Sequence, residues 1–256
     1  MTEKFNWDKL ALDSEIAFSV ANGGYAVRYD NFIHIYNPHV PWGGDFNRTV
    51  GIRLSDFESF EKVAARIQEI HTSKGLEPVD RFDIVPPSLD PSIWSPYLEE
   101  RGYCMHEAIF FSSPVSDTRL PEGFKLYSPT ANEYIQWYKD IFADCDFFTE
   151  EYFQKLKPLH LGFVKTFRPF WLIENEKTIG SIYIAKLGNY SRLFGVEIKE
   201  EFQGRGHGRI LLDAVKGIGA TQGVGHILLQ TQEDLRGFYE KCGFTECSRN
   251  TIIRLK

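Results

Sequence analysis

Two periodicities run through the chain. Phe57, Phe60, Val63, Ile67 and Ile70 recur at helical spacing and form one apolar stripe. Ahead of them, Ser55-Asp-Phe-Glu58 reads as a capping box with Ser55 as the cap. Leu211, Leu212, Val215 and Ile218 mark a second amphipathic helix, over 208–217. Short β-like runs separate such helices. The first half predicts a helix over 13–21, strands over 25–29, 32–36 and 50–54, the long helix, a strand over 82–85, a short helix and a strand over 106–111. The second half predicts a strand over 124–127, helices over 131–142 and 150–156, and strands over 170–174, 178–187 and 191–198. A glycine-rich turn, a helix, a strand over 226–231, a helix over 234–241 and a strand over 251–255 complete it. Asn175-Glu176-Lys177 reads as a hairpin turn. Strands alternating with helices predict a mixed α/β (α+β) fold.

The halves end alike. Glu99, Gly102 and Tyr103 recur as Glu240, Gly243 and Phe244, each a constant 141 residues later (99 to 240, 102 to 243, 103 to 244). In both, a short helix stops at a glycine suited to a left-handed cap, and an aromatic strand follows. This echo points to an internal duplication. The Ser-, Pro- and Gly-containing stretch 111–123 is the best boundary, dividing the chain into residues 1–118 and 119–256.

Composition narrows the class. The 256 residues are 43% hydrophobic, 15% aromatic and 25% charged, the usage of a folded globular chain. A net charge of −6 argues against electrostatic nucleic-acid binding. No apolar run reaches the about 20 residues that span a bilayer, and the first residues lack the apolar stretch of a secretory signal, so the expected location is cytoplasmic. Cys104, Cys145, Cys242 and Cys247 show neither CxxC pairing nor zinc spacing; free thiols and no metal are expected.

The chemistry concentrates in Val196-Glu-Ile-Lys-Glu-Glu-Phe-Gln203-Gly204-Arg205-Gly206-His207-Gly208-Arg209, where a strand enters a tight turn and then a helix. Glycines 204, 206 and 208 permit positive φ and close backbone approach. The first N–H groups of the helix have no partner within it, and its dipole adds partial positive charge, which suits phosphate oxygens. The GxxxxGK[ST] pattern is absent, and GxGxxG fails because position 209 is Arg209. Gln203, Gly206 and Gly208 fit Gln-x-x-Gly-x-Gly instead.

That motif resembles the acetyl-CoA-binding signature of the GNAT (Gcn5-related N-acetyltransferase) superfamily, and Phe238-Tyr239-Glu-Lys241-Cys-Gly243-Phe244 resembles the helix end that follows it in that family. The resemblance covers about 119–256 and implies two tandem GNAT-like domains, each a mixed, mainly antiparallel sheet flanked by helices, the first a degenerate copy. It implies that Val196, Glu197 and Ile198 bind the pantetheine arm through their backbone. Gln203, Gly204, Arg205, Gly206, His207, Gly208 and Arg209 would bind the pyrophosphate, with Gln232 a further contact where the family often has Asn. Tyr239 is the implied general acid, a phenol with a pKa of about 10 that protonates the leaving thiolate. A strand N–H near 196–198 would stabilise the oxyanion.

Blander readings stand beside these. His207 reads as a solvated loop residue contributing only its N–H. Cys242 reads as packing, Leu235 as packing, and His226 as the start of a strand. Glu197 either accepts the ammonium proton or is a solvated carboxylate; Asp144, Asp146, His160 and Tyr183 either line an acceptor pocket or are structural. The comparable turn of the first half, 54–58, has no glycine, and Ser55, Asp56 and Glu58 occupy its helix start, so one cofactor site per chain is expected. The segment 38–45 reads as a surface loop, or as one reaching the acceptor cleft. The expected activity is that of an acyl-CoA-dependent N-acyltransferase moving acetyl from acetyl-CoA to a small-molecule primary amine by direct attack. A non-catalytic acetyl-CoA sensor and a protein- or peptide-directed acetyltransferase remain the alternatives. The oligomeric state is not readable from the chain.

Overall fold

A computed structural model describes residues 5–41, 46–79, 81–84, 89–141 and 149–256. Asp144, Asp146, Cys145 and 42–45 lie outside these. Each half runs helix, three strands, helix, strand, helix, strand. The first contains α1 (Trp7–Ala21), β1 (Tyr25–Arg28), β2 (Ile33–Tyr36), β3 (Arg48–Ile52), α2 (Phe57–Ser73), β4 (Arg81–Ile84), α3 (Pro91–Glu100) and β5 (Tyr103–Pro114). The second opens with an added strand and helix, β6 (Phe124–Tyr127) and α4 (Ala131–Ile141). It continues through α5 (Glu150–Thr166), β7 (Arg168–Glu174), β8 (Lys177–Leu187), β9 (Tyr190–Ile198), α6 (His207–Thr221), β10 (His226–Thr231), α7 (Arg236–Lys241) and β11 (Thr245–Leu255).

The chain forms two compact units, and they are not contiguous in sequence. One holds residues 1–110, 231–234 and 246–256; the other holds 111–230 and 235–245. In the first unit β11, the last strand of the chain, pairs antiparallel with β4, from Thr251↔Ile84 to Arg254↔Arg81. Ile253 is fully buried there, in a core with Phe60, Ile67, Phe82, Ile84 and Leu98. Arg48 lies beneath this sheet, donating to Glu15 at 2.7 Å and to Asp83 at 3.0 Å, while Arg81 donates to Asp83 at 2.7 Å. All four side chains are buried, so each charge is matched where water cannot solvate it.

In the second unit the strand order is β10-β9-β8-β7-β6. Only β9 and β10 are parallel; the other neighbours are antiparallel, which makes the sheet mixed and mainly antiparallel. The β7–β8 hairpin turns on Asn175 and Glu176, both at positive φ (47° and 65°), as a type I′ turn requires. Gly102 and Gly243 both sit at left-handed φ (79° and 80°) after α3 and α7.

Several boundaries differ from the sequence expectation. Helix α1 begins at Trp7, because Asn6 caps it by accepting from the Lys9 N–H at 3.1 Å. Helix α5 continues through Pro158 to Thr166, since Phe153, Leu156, Leu159 and Phe163 keep one buried stripe across the proline. Ser55 does not cap α2. Asp56 does, accepting from the Ser59 N–H at 2.7 Å while the Ser59 hydroxyl receives the Asp56 N–H. Residues 111–114 are strand rather than linker, with Phe111 and Ser113 buried.

Candidate acyl-donor site

β9 and β10 pair at Tyr190↔His226, Ser191↔Ile227 and Arg192↔Leu228, and the pairing ends there, although β9 runs on to Ile198. On its other side β9 stays paired with β8 to Ile198↔Gly180. Beyond Arg192 the strand therefore has no β10 partner, and the Leu193 and Ile198 carbonyls accept instead from the Arg192 and Gln203 side chains. A cleft of about 520 Å³ lies along it, lined by Val196, Ile198, Phe202, Gln203, Gly204, Gly206, His207, Gly208, Leu235, Phe238 and Tyr239.

The turn at its end leaves a run of backbone donors unused. The Gln203 side chain donates to the Ile198 carbonyl at 2.8 Å, and its N–H donates to the Glu200 carbonyl at 3.1 Å. The Arg209 N–H is likewise used, by the Gly206 carbonyl at 3.1 Å. Between them, the N–H groups of Gly204, Arg205, Gly206, His207 and Gly208 have no acceptor among the described residues. Gly206 is the N-cap of α6 at φ 84°, with no side chain closing the helix end. A Cβ at Gly204 or Gly206 would meet nothing within 4 Å, so the space in front of these amides is open.

His207 departs from the expectation of a solvated loop residue. It is the first residue of α6 and only 7% exposed, its Nδ1 2.9 Å from the Phe202 carbonyl and its Nε2 3.6 Å from Glu174. The imidazole thus braces the turn from behind. Gly208 departs in its backbone: it is helical rather than left-handed, and a Cβ there would sit 2.9 Å from the Phe238 ring, while the residue still lines the cleft. Arg205 and Arg209 are exposed, with Arg209 3.7 Å from Asp213. Gln232 is exposed and does not line the cleft.

Tyr239 is buried at the cleft wall, its ring among Phe238, Phe244 and Phe111 at centroid distances of 5.1, 5.9 and 6.1 Å. Cys242 is buried on the same helix, and desolvation together with Asp213 raises its thiol pKa, which suits packing rather than nucleophilic chemistry. Phe202 and Phe238, which sequence reasoning passed over, complete the apolar lining.

On the α4 and α5 side, the Tyr183 hydroxyl donates to the Tyr134 hydroxyl at 3.3 Å, which in turn lies 3.3 Å from His160 Nδ1. Burial pushes the His160 pKa down to about 4 and the Tyr183 pKa up to about 12. This is an uncharged polar chain with Tyr134 buried and His160 and Tyr183 half-buried.

The first half differs at the corresponding places. β3 and β4 stay paired to Ile52↔Ile84, the last residue of each strand, and the Asp56 carboxylate already fills the N-terminus of α2.

A parallel strand pair that parts ahead of an uncapped helix start frames this cleft on a mixed sheet. Residues 131–244 match the model of the acetyltransferase (GNAT) family, and this part of the chain is a GNAT acetyltransferase domain. The fold of the whole chain is shared with solved structures at 12% identity. A functionally unknown conserved protein from Staphylococcus epidermidis matches with a TM-score of 0.71, over 99% of this chain and 98% of that one. A GCN5-related N-acetyltransferase from Kribbella flavida matches at 0.59, over 96% and 94%. A tandem GNAT protein from the clavulanic acid biosynthesis pathway matches at 0.53, over 96% and 92%.

Proposed function

We propose that the second half binds acetyl-CoA in this cleft and transfers its acetyl group to a small-molecule primary amine by direct attack, and that the first half is a degenerate copy without a cofactor site. The observation that carries the reading is the run of unpartnered N–H groups from Gly204 to Gly208, facing open space at an uncapped helix start beside the stretch of β9 that has no β10 partner. Diphosphate oxygens match these donors, and the main chain of Val196–Ile198 matches an amide-bearing arm. Acetyl-CoA supplies an acetyl group activated as a thioester. Tyr239 holds a phenolic proton at the cleft wall, available to the departing sulfur. The buried, protonated Cys242 argues for direct transfer rather than a covalent acyl-enzyme. No helix among the described residues is long and apolar enough to cross a membrane.

The test is a thiol-release assay over amines, polyamines, amino acids, aminoglycosides and peptides, paired with calorimetric titration of acetyl-CoA. Release with small amines, and loss of binding in Gly206→Asp, support the reading. Unchanged affinity in Gly206→Asp removes the phosphate cradle. Tight binding with no release across the panel favours a sensor instead.

A further inference from the structure

The β8–β9 register contains an irregularity that changes which side chains share a face. Ser181 pairs with Glu197 and Tyr183 pairs with Phe194. Two residues of β9, Gly195 and Val196, therefore stand opposite the single residue Ile182, a β-bulge. Gly195 adopts φ 58°, and a Cβ there would sit 2.9 Å from the Tyr183 ring. In a regular strand, residues three apart point to opposite faces. The bulge restores them to one face, so Phe194 and Glu197 project on the side of Ser181 and Tyr183.

That face has an unusual character. Phe194 is 41% exposed, and its ring is edge-on to Phe163 at 6.1 Å and tilted against Tyr183 at 6.1 Å. Phe163 and Tyr183 are T-shaped at 5.5 Å. Glu197 is exposed and has no ion-pair or hydrogen-bond partner among the described residues, yet its charge is felt at the Tyr183 phenol. The aromatic surface thus ends at one uncompensated carboxylate, on the strand whose other face, at Val196 and Ile198, lines the donor cleft.

We propose that this surface is the acceptor subsite and that it selects a cationic amine carrying an apolar body, an alkyl or aryl group, over polyhydroxylated amines and amino acids. The inference rests on the acyl-transfer reading. The ammonium meets Glu197 and is drawn to the faces of the rings, while the body covers Phe194. An α-carboxylate on the acceptor would stand beside Glu197 and be repelled. A body rich in hydroxyl groups would lose water against the rings without regaining hydrogen bonds.

The experiment measures kcat and KM for CoA release with phenethylamine, hexylamine, glycine and glucosamine, using the full chain. The expected result is a kcat/KM at least tenfold higher for the first two. Phe194→Ala should raise KM for phenethylamine about tenfold, with Phe194→Tyr restoring it and the calorimetric affinity for acetyl-CoA unchanged. Glu197→Gln should remove most of the preference for amines without a carboxylate. Equal or better use of glycine or glucosamine, or a Phe194→Ala variant with unaltered KM, overturns the subsite while leaving acyl transfer intact. Acetyl-CoA binding with no release to any of the four amines overturns both.

Discussion

Gly208 and Phe238 are fitted to one another: a side chain on Gly208 would begin 2.9 Å from Phe238 Cζ and 3.3 Å from its Cε2. The last glycine of the Gln203–Gly208 motif therefore acts across the cleft, letting α6 approach the ring that forms the opposite wall. Gly204 and Gly206 have a different task, since they alone take left-handed φ and face empty space.

This division predicts a compensating pair. Gly208→Ala should push Phe238 aside and weaken acetyl-CoA binding by roughly tenfold, and adding Phe238→Leu should recover most of that loss because the pair is in contact. Gly204→Ala has room for its methyl but strains the turn, so Phe238→Leu should not rescue it. Calorimetric titration of the four proteins separates the two mechanisms.

Tyr239→Phe should lower kcat by roughly 100-fold if the phenol supplies the proton to the leaving thiolate, with acetyl-CoA affinity retained. The ring remains to pack against Phe238, Phe244 and Phe111. Turnover equal to that of the parent protein would take the acid role away from this residue.

Strand β11 belongs to the first compact unit although it closes the chain. Ile253→Ala empties a fully buried site in that unit's core and should destabilise it by about 2–5 kcal/mol. Removing residues 246–256 strips β4 of its antiparallel partner. Hydrogen exchange should then show lost protection at 81–84, before any change at β7 and β8. Retained protection at β4 would contradict a stabilising role for its pairing with β11.

His34 offers a prediction in pH. Its ring is fully buried, neither ring nitrogen has a partner among the described residues, and burial, with His71 and Lys74 nearby, pushes its pKa down to about 4. The unfolded chain, with an ordinary histidine pKa of about 6.5, binds the proton more readily than the folded one. Stability from this group is full above pH about 6.5 and falls as the pH drops toward about 4. His160, also held down to about 4 by burial, adds to the same trend. His34→Phe should flatten the loss of stability over that interval, read as denaturation midpoints at several pH values.

Much of this molecule was legible because it is local. The stripe Phe57–Ile70, the turn at Asn175–Glu176, the glycine stops at 102 and 243, and the glycine turn before α6 each depend on residues close together in the chain. Such features follow from backbone sterics and side-chain periodicity, which neighbouring residues set among themselves. Errors fell where a distant contact or a neighbouring side chain intervened. The helix expected over 150–156 runs on through Pro158 to Thr166, carried by the buried Phe153–Phe163 stripe. Ser55 reads as the cap, but the helix starts one residue later and Asp56 takes that place. His207 looks like a loop residue until the Phe202 carbonyl and Glu174 are seen around its ring.

By itself the order of residues determined the classes of element, the glycine-rich turn before α6 and the family resemblance of residues after 119, because each needs only short-range geometry. Tertiary structure alone decided that β11 completes the first unit, that β9 parts from β10 beyond Arg192, and that a bulge at Gly195 puts Phe194 and Glu197 on one face. Strand partnership and register are chosen by which distant surfaces bury together, and a shift of one residue reverses the face every side chain takes. No local pattern encodes that choice.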